Sequence, residues 1–456
     1  MSSKFKVFSM FDGVGGFIIG LNNANKKLGD KYFHTVVSNQ YEPSRKNQDA
    51  FEVGKYHFPD MEHIGKDVQE IDNKKFEDLS KEKVSMIVGG FPCQDYSVAR
   101  SKKHEMGIEG KKGVLFWEII RAVNHIKPNY LILENVDRLL KSPSNQRGRD
   151  FAIMLGAFNQ LGYSVEWRVI NAADYGKPQR RRRVFFFVYK NNTLIAKKIN
   201  KEFEKKINGL DSLVEEEKYD DYIFSTGLFA RQFPIEKKPN KKRHFSQNLS
   251  ELDKTDENYI VDISDNFTGA IWNSGVMRDG KYYTADTIPI VEKCKTLGDV
   301  VKQAKNYYVK KYGKDEYERY LDNYYIQDKE KLKKFEYLRG SKKIERTTAD
   351  GHTWIYSEGG MSPHDKFELP ARTMLTSEGS VNRSTHFLKD EKGYRLLTPI
   401  EAELLQGFPE EWTRYKNIDN KKIEISDKMR YFFMGNALVT GIVERISIEL
   451  YKMNNN

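Results

Sequence analysis

Over the first 190 residues, short apolar runs bounded by glycine, proline or asparagine alternate with longer stretches whose apolar positions recur at helical spacing. The short runs predict strands over 6–11, 35–39, 85–90, 130–135, 163–170 and 184–189. Between them the pattern predicts a helix opening at Phe17, one over 114–126 with Pro128 just beyond it, and one over 150–162 closed by Gly162. Strands alternating with helices in this way specify an α/β fold with a mostly parallel sheet. After Tyr189 the texture changes. From 190 to 395 the chain is richer in Lys, Asn, Tyr and Glu, with a basic run at 236–244 and a Tyr/Lys-rich helical stretch at 297–338. Apolar helical periodicity returns at 398–408 and 437–453. One α/β domain, interrupted or followed by a second, irregular one, is expected.

Composition narrows the picture. A chain of 456 residues is too long for one ordinary core, and 39% hydrophobic residues are enough to build more than one. The net charge of +11 favours an anionic partner, nucleic acid before others. Two cysteines, Cys93 and Cys294, make neither a disulfide framework nor a thiolate metal cluster. The start lacks the apolar stretch of a secretory signal, and no run reaches the ~18 apolar residues of a membrane span. A soluble protein of a reducing compartment is expected, with no metal and no membrane partner.

Four stretches carry candidate chemistry. In "FSMFDGVGGF" a glycine turn joins a strand to a helix, where backbone N–H groups are open to a ligand. Its glycines, at 13, 15 and 16, do not match the dinucleotide fingerprint, and Glu42 near the end of the next strand suits ribose hydroxyls. In "GGFPCQDYS" Cys93 follows a strand that ends where open parallel sheets bind ligands; it reads as a nucleophile or as an inert buried thiol. "ENV" puts the Glu134 carboxylate at another strand's end, as a proton-sharing group or a plain cap. In "KPQRRRRVFFFV" an extended chain turns Gln179, Arg181 and Arg183 one way and Arg180 and Arg182 the other.

In their order and spacing these stretches, with Asp67 in "GKDV", "RLLTPIEAELLQGFP" and "GNALV", resemble the S-adenosylmethionine-dependent DNA (cytosine-5) methyltransferases of prokaryotic and phage restriction-modification type. The resemblance covers residues 5–190 and about 394–453. It implies a Rossmann-like methyltransferase domain, 1–190 with 426–456, and an inserted irregular α+β target-recognition domain, 191–425. Phe11, Gly13, Gly15 and Gly16 would lie under the methionine part of the cofactor. Glu42 would hold the ribose, Asp67 the adenine amino group, and Val68, Pro92, Leu115, Asn436 and Ala437 the rest of the pocket. Cys93 would be the nucleophile, Glu134 would contact the cytosine edge, and Arg181 and Arg183 would support the site. The polar, basic segment 94–113 would be a loop that closes on double-stranded DNA through Gln94, Ser97, Lys102, Lys103, Lys111 and Lys112, while Thr373 would approach the DNA from the recognition region.

A tRNA-modifying member of the same family is the nearest alternative, but its Cys-Phe-Thr signature is missing, since Cys294 stands in "EKCKTLG". A catalytically silent DNA-binding relative would not need every expected catalytic position filled. A nicotinamide dehydrogenase would leave the Pro-Cys pair and the arginine strand unexplained. The compact length, with no appended regulatory region, points to a cytoplasmic protein of prokaryotic or phage origin, expected as a monomer; the sequence leaves open whether a restriction endonuclease accompanies it.

Overall fold

A computed structural model describes residues 5–92, 114–204, 218–236, 244–348, 351–419 and 421–455. Two compact units divide the chain: Met1–Tyr175, Arg182–Glu292 and Thr440–Asn456 in the first, Gly176–Arg181 and Lys293–Val439 in the second. These borders fall elsewhere than the expected 190 and 425, because strands beyond residue 190 extend the sheet of the first unit.

The first unit is built on a ten-stranded sheet. Its strands are β1 (Phe5–Met10), β2 (Phe33–Asn39), β3 (Glu62–Ile64), β4 (Val84–Gly90), β5 (Tyr130–Val136), β6 (Tyr163–Asn171), β7 (Arg182–Lys190), β8 (His244–Asn248), β9 (Ser274–Arg278) and β10 (Lys281–Ala285), in the order β3-β2-β1-β4-β5-β7-β6-β9-β10-β8. The five strands from β3 to β5 are parallel, the Rossmann-like half. From β7 onward each pairing is antiparallel, so the sheet is mixed rather than mostly parallel. In β4 and β5 five of the seven residues are buried in each, as strands covered on both faces require. Helix Val114–Ile126 buries Phe116, Ile119, Val123 and Ile126 along one stripe. β1 stops at Met10 instead of Phe11 because Phe11 has a φ of 54°.

The region expected to be irregular thus supplies β8, β9 and β10. Their five-residue lengths and polar content conceal them, yet Asp279 and Gly280, both at positive φ, form the tight turn that an Asp-Gly pair favours between β9 and β10. Helix Thr440–Asn455 packs on helix Gly16–Leu28 within the same unit. The contact is close at Gly20, where a Cβ would lie 2.6 Å from that of Val443, and Lys27 pairs with Glu444 at 2.6 Å.

In the second unit the expected helical stretch 297–338 breaks into Leu297–Tyr312, Lys314–Asp322 and Lys329–Arg339. Thr296 with Asp299, and Thr398 with Glu401, form capping boxes at the starts of Leu297–Tyr312 and Pro399–Leu405. Arg395, buried, binds Glu401 at 2.9 Å and ties the second of these helices to the strand before it. Two-stranded sheets complete an α+β unit. Among the described residues no helix is long and apolar enough to cross a membrane.

The helix contact at Gly20 leaves no room for a side chain. Gly20→Val should destabilise the protein by about 1–3 kcal/mol in denaturant titration, whereas Gly29→Ala, at a cap with open space around it, should act only through its positive φ.

Candidate active site

The carboxyl ends of β1, β2, β4 and β5 are neighbours in the sheet, and Phe11, Gly13, Glu42, Pro92 and Glu134 lie at or just beyond these ends, while Asp67 and Val68 follow β3, Leu115 stands on helix Val114–Ile126 and Arg183 on β7. At the end of β1 the chain turns through Phe11, Asp12, Gly13, Val14 and Gly15 into the helix that starts at Gly16. Gly13 and Gly15 have φ of 59° and 90°, which favour glycine, and nothing lies within 4 Å of where a Cβ on Gly13 would be. The Gly13 N–H donates to Gln40 Oε1 at 2.7 Å, joining the turn to the end of β2. The helix start carries no side-chain cap and no acidic residue in its first turn, so it remains suited to an anionic group.

Glu42 follows β2, half-buried, with Oε1 accepting from Ser44 Oγ at 2.8 Å. Asp67 caps the short turn Val68–Glu70 by accepting from Gln69 N. Two residues that sequence reasoning passed over hold this loop. Asn39 donates to the carbonyls of Ile64 and Lys66, and Arg121 donates to those of Val68 and Ile71. Val68 is buried, Leu115 half-buried and Pro92 exposed.

The end of β4 is shaped by its two glycines. A Cβ on Gly89 would lie 2.7 Å from the carbonyl oxygen of Met10, and one on Gly90 would lie 3.2 Å from Glu134 Oε2. The Glu134 carboxylate on β5 therefore rests over Gly90, its register partner on β4. Arg183 Nε reaches Glu134 Oε1 at 2.9 Å from the antiparallel neighbour β7. Only 12% of the Glu134 side chain and 18% of that of Arg183 is exposed, so the pair is screened little by solvent. Asn135, buried, donates to the carbonyl of Phe91 at 3.0 Å and anchors the chain two residues before Cys93. Its neighbour in "ENV" is marked by its charge; the amide acts through this tertiary bond, which no local pattern shows.

Cys93, Gln94, Ser97, Lys102, Lys103, Lys111 and Lys112 lie outside the described residues, as does most of the basic run 236–244. The expected alternation along the arginine stretch is present: Gln179 and Arg181 are buried, Arg183 is half-buried, and Arg180 and Arg182 are exposed. Four expected residues belong to the second unit. There Arg181 donates to the carbonyls of Met374 at 3.2 Å and Gly435 at 3.0 Å, so its guanidinium fastens two backbone segments. Thr373 donates to the Arg180 carbonyl. Asn436 ends helix Asp427–Asn436, and Ala437 caps it through a bond to Phe433. Among the described residues no three His, Cys, Asp or Glu side chains converge as metal ligands would.

Residues 5–452 match the C-5 cytosine-specific DNA methylases. The chain belongs to that family. The type II methyltransferase M.Sau3AI of Staphylococcus aureus is 49% identical over 452 residues, 99% of this chain and 97% of its own length. M.NlaIV of Neisseria lactamica is 32% identical, but over only 40% of either chain, less than half of that relative's length. The crystal structure of S. pombe Dnmt2 methyltransferase shares the fold, with a TM-score of 0.52 and 14% identity over 99% of each chain. As a C-5 cytosine-specific DNA methylase, the chain is a DNA (cytosine-5-)-methyltransferase. Neither the tRNA-modifying nor the catalytically silent alternative is favoured by these likenesses.

Asp12 is the buried carboxyl that sequence reasoning missed in this methylase's glycine turn. It accepts a hydrogen bond from Ser9 Oγ at 2.6 Å, and burial pushes its pKa up to about 7. The folded protein then keeps a proton that the unfolded chain releases near pH ~4, so this group's stabilising contribution is complete below pH ~4 and is lost as pH rises through ~7. Asp12→Asn should therefore gain stability over the parent between pH 5 and pH 8, by about 1 kcal/mol or more, in denaturation curves recorded at both values.

Proposed function

We propose that this methylase transfers a methyl group from S-adenosylmethionine to C5 of a cytosine flipped out of double-stranded DNA, through a covalent adduct with Cys93. The observation that carries the reading is the Glu134 carboxylate held by Arg183 over Gly90, beside the Phe91–Pro92 segment that leads into Cys93.

The residues of the first unit suit the cofactor's chemistry. Open space over Gly13 and an uncapped helix start suit the methionine carboxylate, the Glu42 carboxylate suits a ribose diol, and Asp67 suits an exocyclic amine. Asn436 and Ala437 complete the proposed set, with Phe11, Gly15, Gly16, Val68, Pro92 and Leu115. Bound there, the cofactor supplies a methyl group on a sulfonium, which leaves as a thioether once C5 has taken the methyl.

Cytosine C5 is too weak a nucleophile to take that methyl unaided. The Cys93 thiolate adds to C6, forming an S–C6 bond, and the electron pair of the C5–C6 double bond moves into the ring. Glu134 donates a proton to N3, or shares one with it, and so offsets the charge that develops there. Arg183 orients that carboxyl. After C5 is methylated, its proton passes to a base, the S–C6 bond breaks to regenerate the thiolate, and the N3 proton returns to Glu134. A base inside a duplex cannot expose C6, so the target must leave the stack at a cost of a few kcal/mol. The segment 94–113, with Lys102, Lys103, Lys111 and Lys112, supplies phosphate contacts.

Target recognition falls within residues 191–425 in this reading, outside the strands β8, β9 and β10 that extend the sheet of the first unit. The type II designation of M.Sau3AI supports a restriction endonuclease as companion. A cytoplasmic monomer completes the proposal.

Cys93→Ser should lower DNA methylation by at least about 1000-fold while S-adenosylhomocysteine binding stays within about twofold. A target duplex with 5-fluorocytosine should trap the parent enzyme as an adduct stable to denaturing electrophoresis, because fluorine cannot leave C5 as a proton. Normal turnover by the serine variant, or no adduct with active enzyme, would contradict thiolate addition.

A further inference from the structure

In the second unit, strands β11 (Lys342–Thr347) and β12 (Thr353–Glu358) form an antiparallel ribbon that is a sheet by itself. None of its twelve residues is buried, and Trp354 and Ile355 are 41% and 65% exposed. A two-stranded sheet with both faces wet has little core of its own to repay its ordering. Large apolar side chains kept in water on such an element mark an interaction surface more often than a scaffold.

The register sorts the ribbon into two faces. Lys342, Ile344 and Arg346 stand opposite Glu358, Tyr356 and Trp354, so these six share one face. On that face each cation sits over an aromatic ring. Lys342 Nζ lies 4.6 Å from the ring centre of Tyr337, itself 64% exposed at the end of the preceding helix. Arg346 Cζ lies 4.4 Å from that of Tyr356 and 5.9 Å from that of Trp354. The acidic member, Glu358, is neutralised by Lys342 at 3.5 Å and Arg383 at 2.5 Å. The face is therefore cationic and aromatic, with its carboxylate compensated.

We infer that this ribbon enters the major groove of the target duplex and that Arg346 reads a base edge there. A two-stranded β-ribbon is one of the two shapes the major groove admits. An arginine fork makes paired hydrogen bonds to the edge of guanine, and a guanidinium laid on two rings is pre-oriented for that task. A phosphate needs no such orientation, since a swinging lysine serves it. The inference rests on the reading above, in which the enzyme acts on duplex DNA at a defined sequence.

The test uses full-length enzyme and duplex oligonucleotides. Bisulfite sequencing first maps the methylated site of the parent enzyme; failure to methylate duplex DNA at all would overturn the proposed function rather than the ribbon's role. The mapped duplex and its single-base variants are then compared by kcat/KM for the parent, Arg346→Ala and Arg346→Lys. Arg346→Ala should lower kcat/KM on the mapped duplex by about tenfold or more while one single-base variant loses nothing, so discrimination at that position collapses. Arg346→Lys should behave alike, because it keeps the charge and loses the fork. S-adenosylhomocysteine binding and melting temperature should match the parent in both. A uniform loss across all duplexes that lysine restores would overturn base reading in favour of phosphate contact. Unchanged kcat/KM throughout would overturn the ribbon's part in DNA binding altogether.

Discussion

The ion pair between Glu134 and Arg183 is the interaction on which the rest of the candidate active site turns. A carboxylate this little exposed is costly unless a cation and hydrogen bonds compensate it, and removing one partner leaves the other stranded. The pair exists because the sheet changes direction at this point. β7 runs against β5 with Val136 opposite Arg183, which places the arginine diagonally across from Glu134. A parallel neighbour would come through a crossover connection instead of straight from the arginine stretch. The mixed sheet is thus the means by which a carboxyl from the Rossmann-like half acquires its fixed counter-charge.

Around this pair the backbone is arranged by small residues and amides. Gly90 lets the carboxylate lie against β4, Gly89 lets β4 lie against the end of β1, and Asn135 fixes the carbonyl of Phe91. Asn39 and Arg121 do the same for the loop carrying Asp67 and Val68. None of these groups reacts. They hold four strand ends at fixed spacing, which is what positioning a cofactor and a base in one site demands. Asp12, whose burial favours its protonated form and whose carboxyl accepts from Ser9, belongs to the same frame, within the glycine turn.

Much of this frame was legible in the chain before any coordinates. The apolar runs of β4, β5 and β7, the alternation of β6 and the stripe of helix Val114–Ile126 are nearly unbroken, and glycine, proline or asparagine lies close to each. Even the alternation of Gln179 to Arg183 could be read, because extended chain has a period of two. β8, β9 and β10 are hidden in the sequence, since short strands rich in Tyr, Ser and Lys lack an apolar signature and the Asp279-Gly280 turn between two of them is the one local mark they carry. The work of Arg181 was hidden for another reason. Its acceptors, on Met374 and Gly435, are 193 and 254 residues away in sequence, and only the folded second unit brings them together. Asn135 is the same case at shorter range: an amide whose partner is 44 residues back cannot announce it.

The central claim is that the carboxyl held by Arg183 assists attack at C6 and so activates C5. Release of tritium from [5-³H]cytosine in a target duplex reads that step directly, since C5 loses its hydrogen only after it has been activated. The parent enzyme should release tritium in step with methyl transfer. Release should fall by about 100-fold or more for Glu134→Gln, with S-adenosylhomocysteine binding unchanged. Tritium release by Glu134→Gln at the parent rate would contradict that role of the carboxyl.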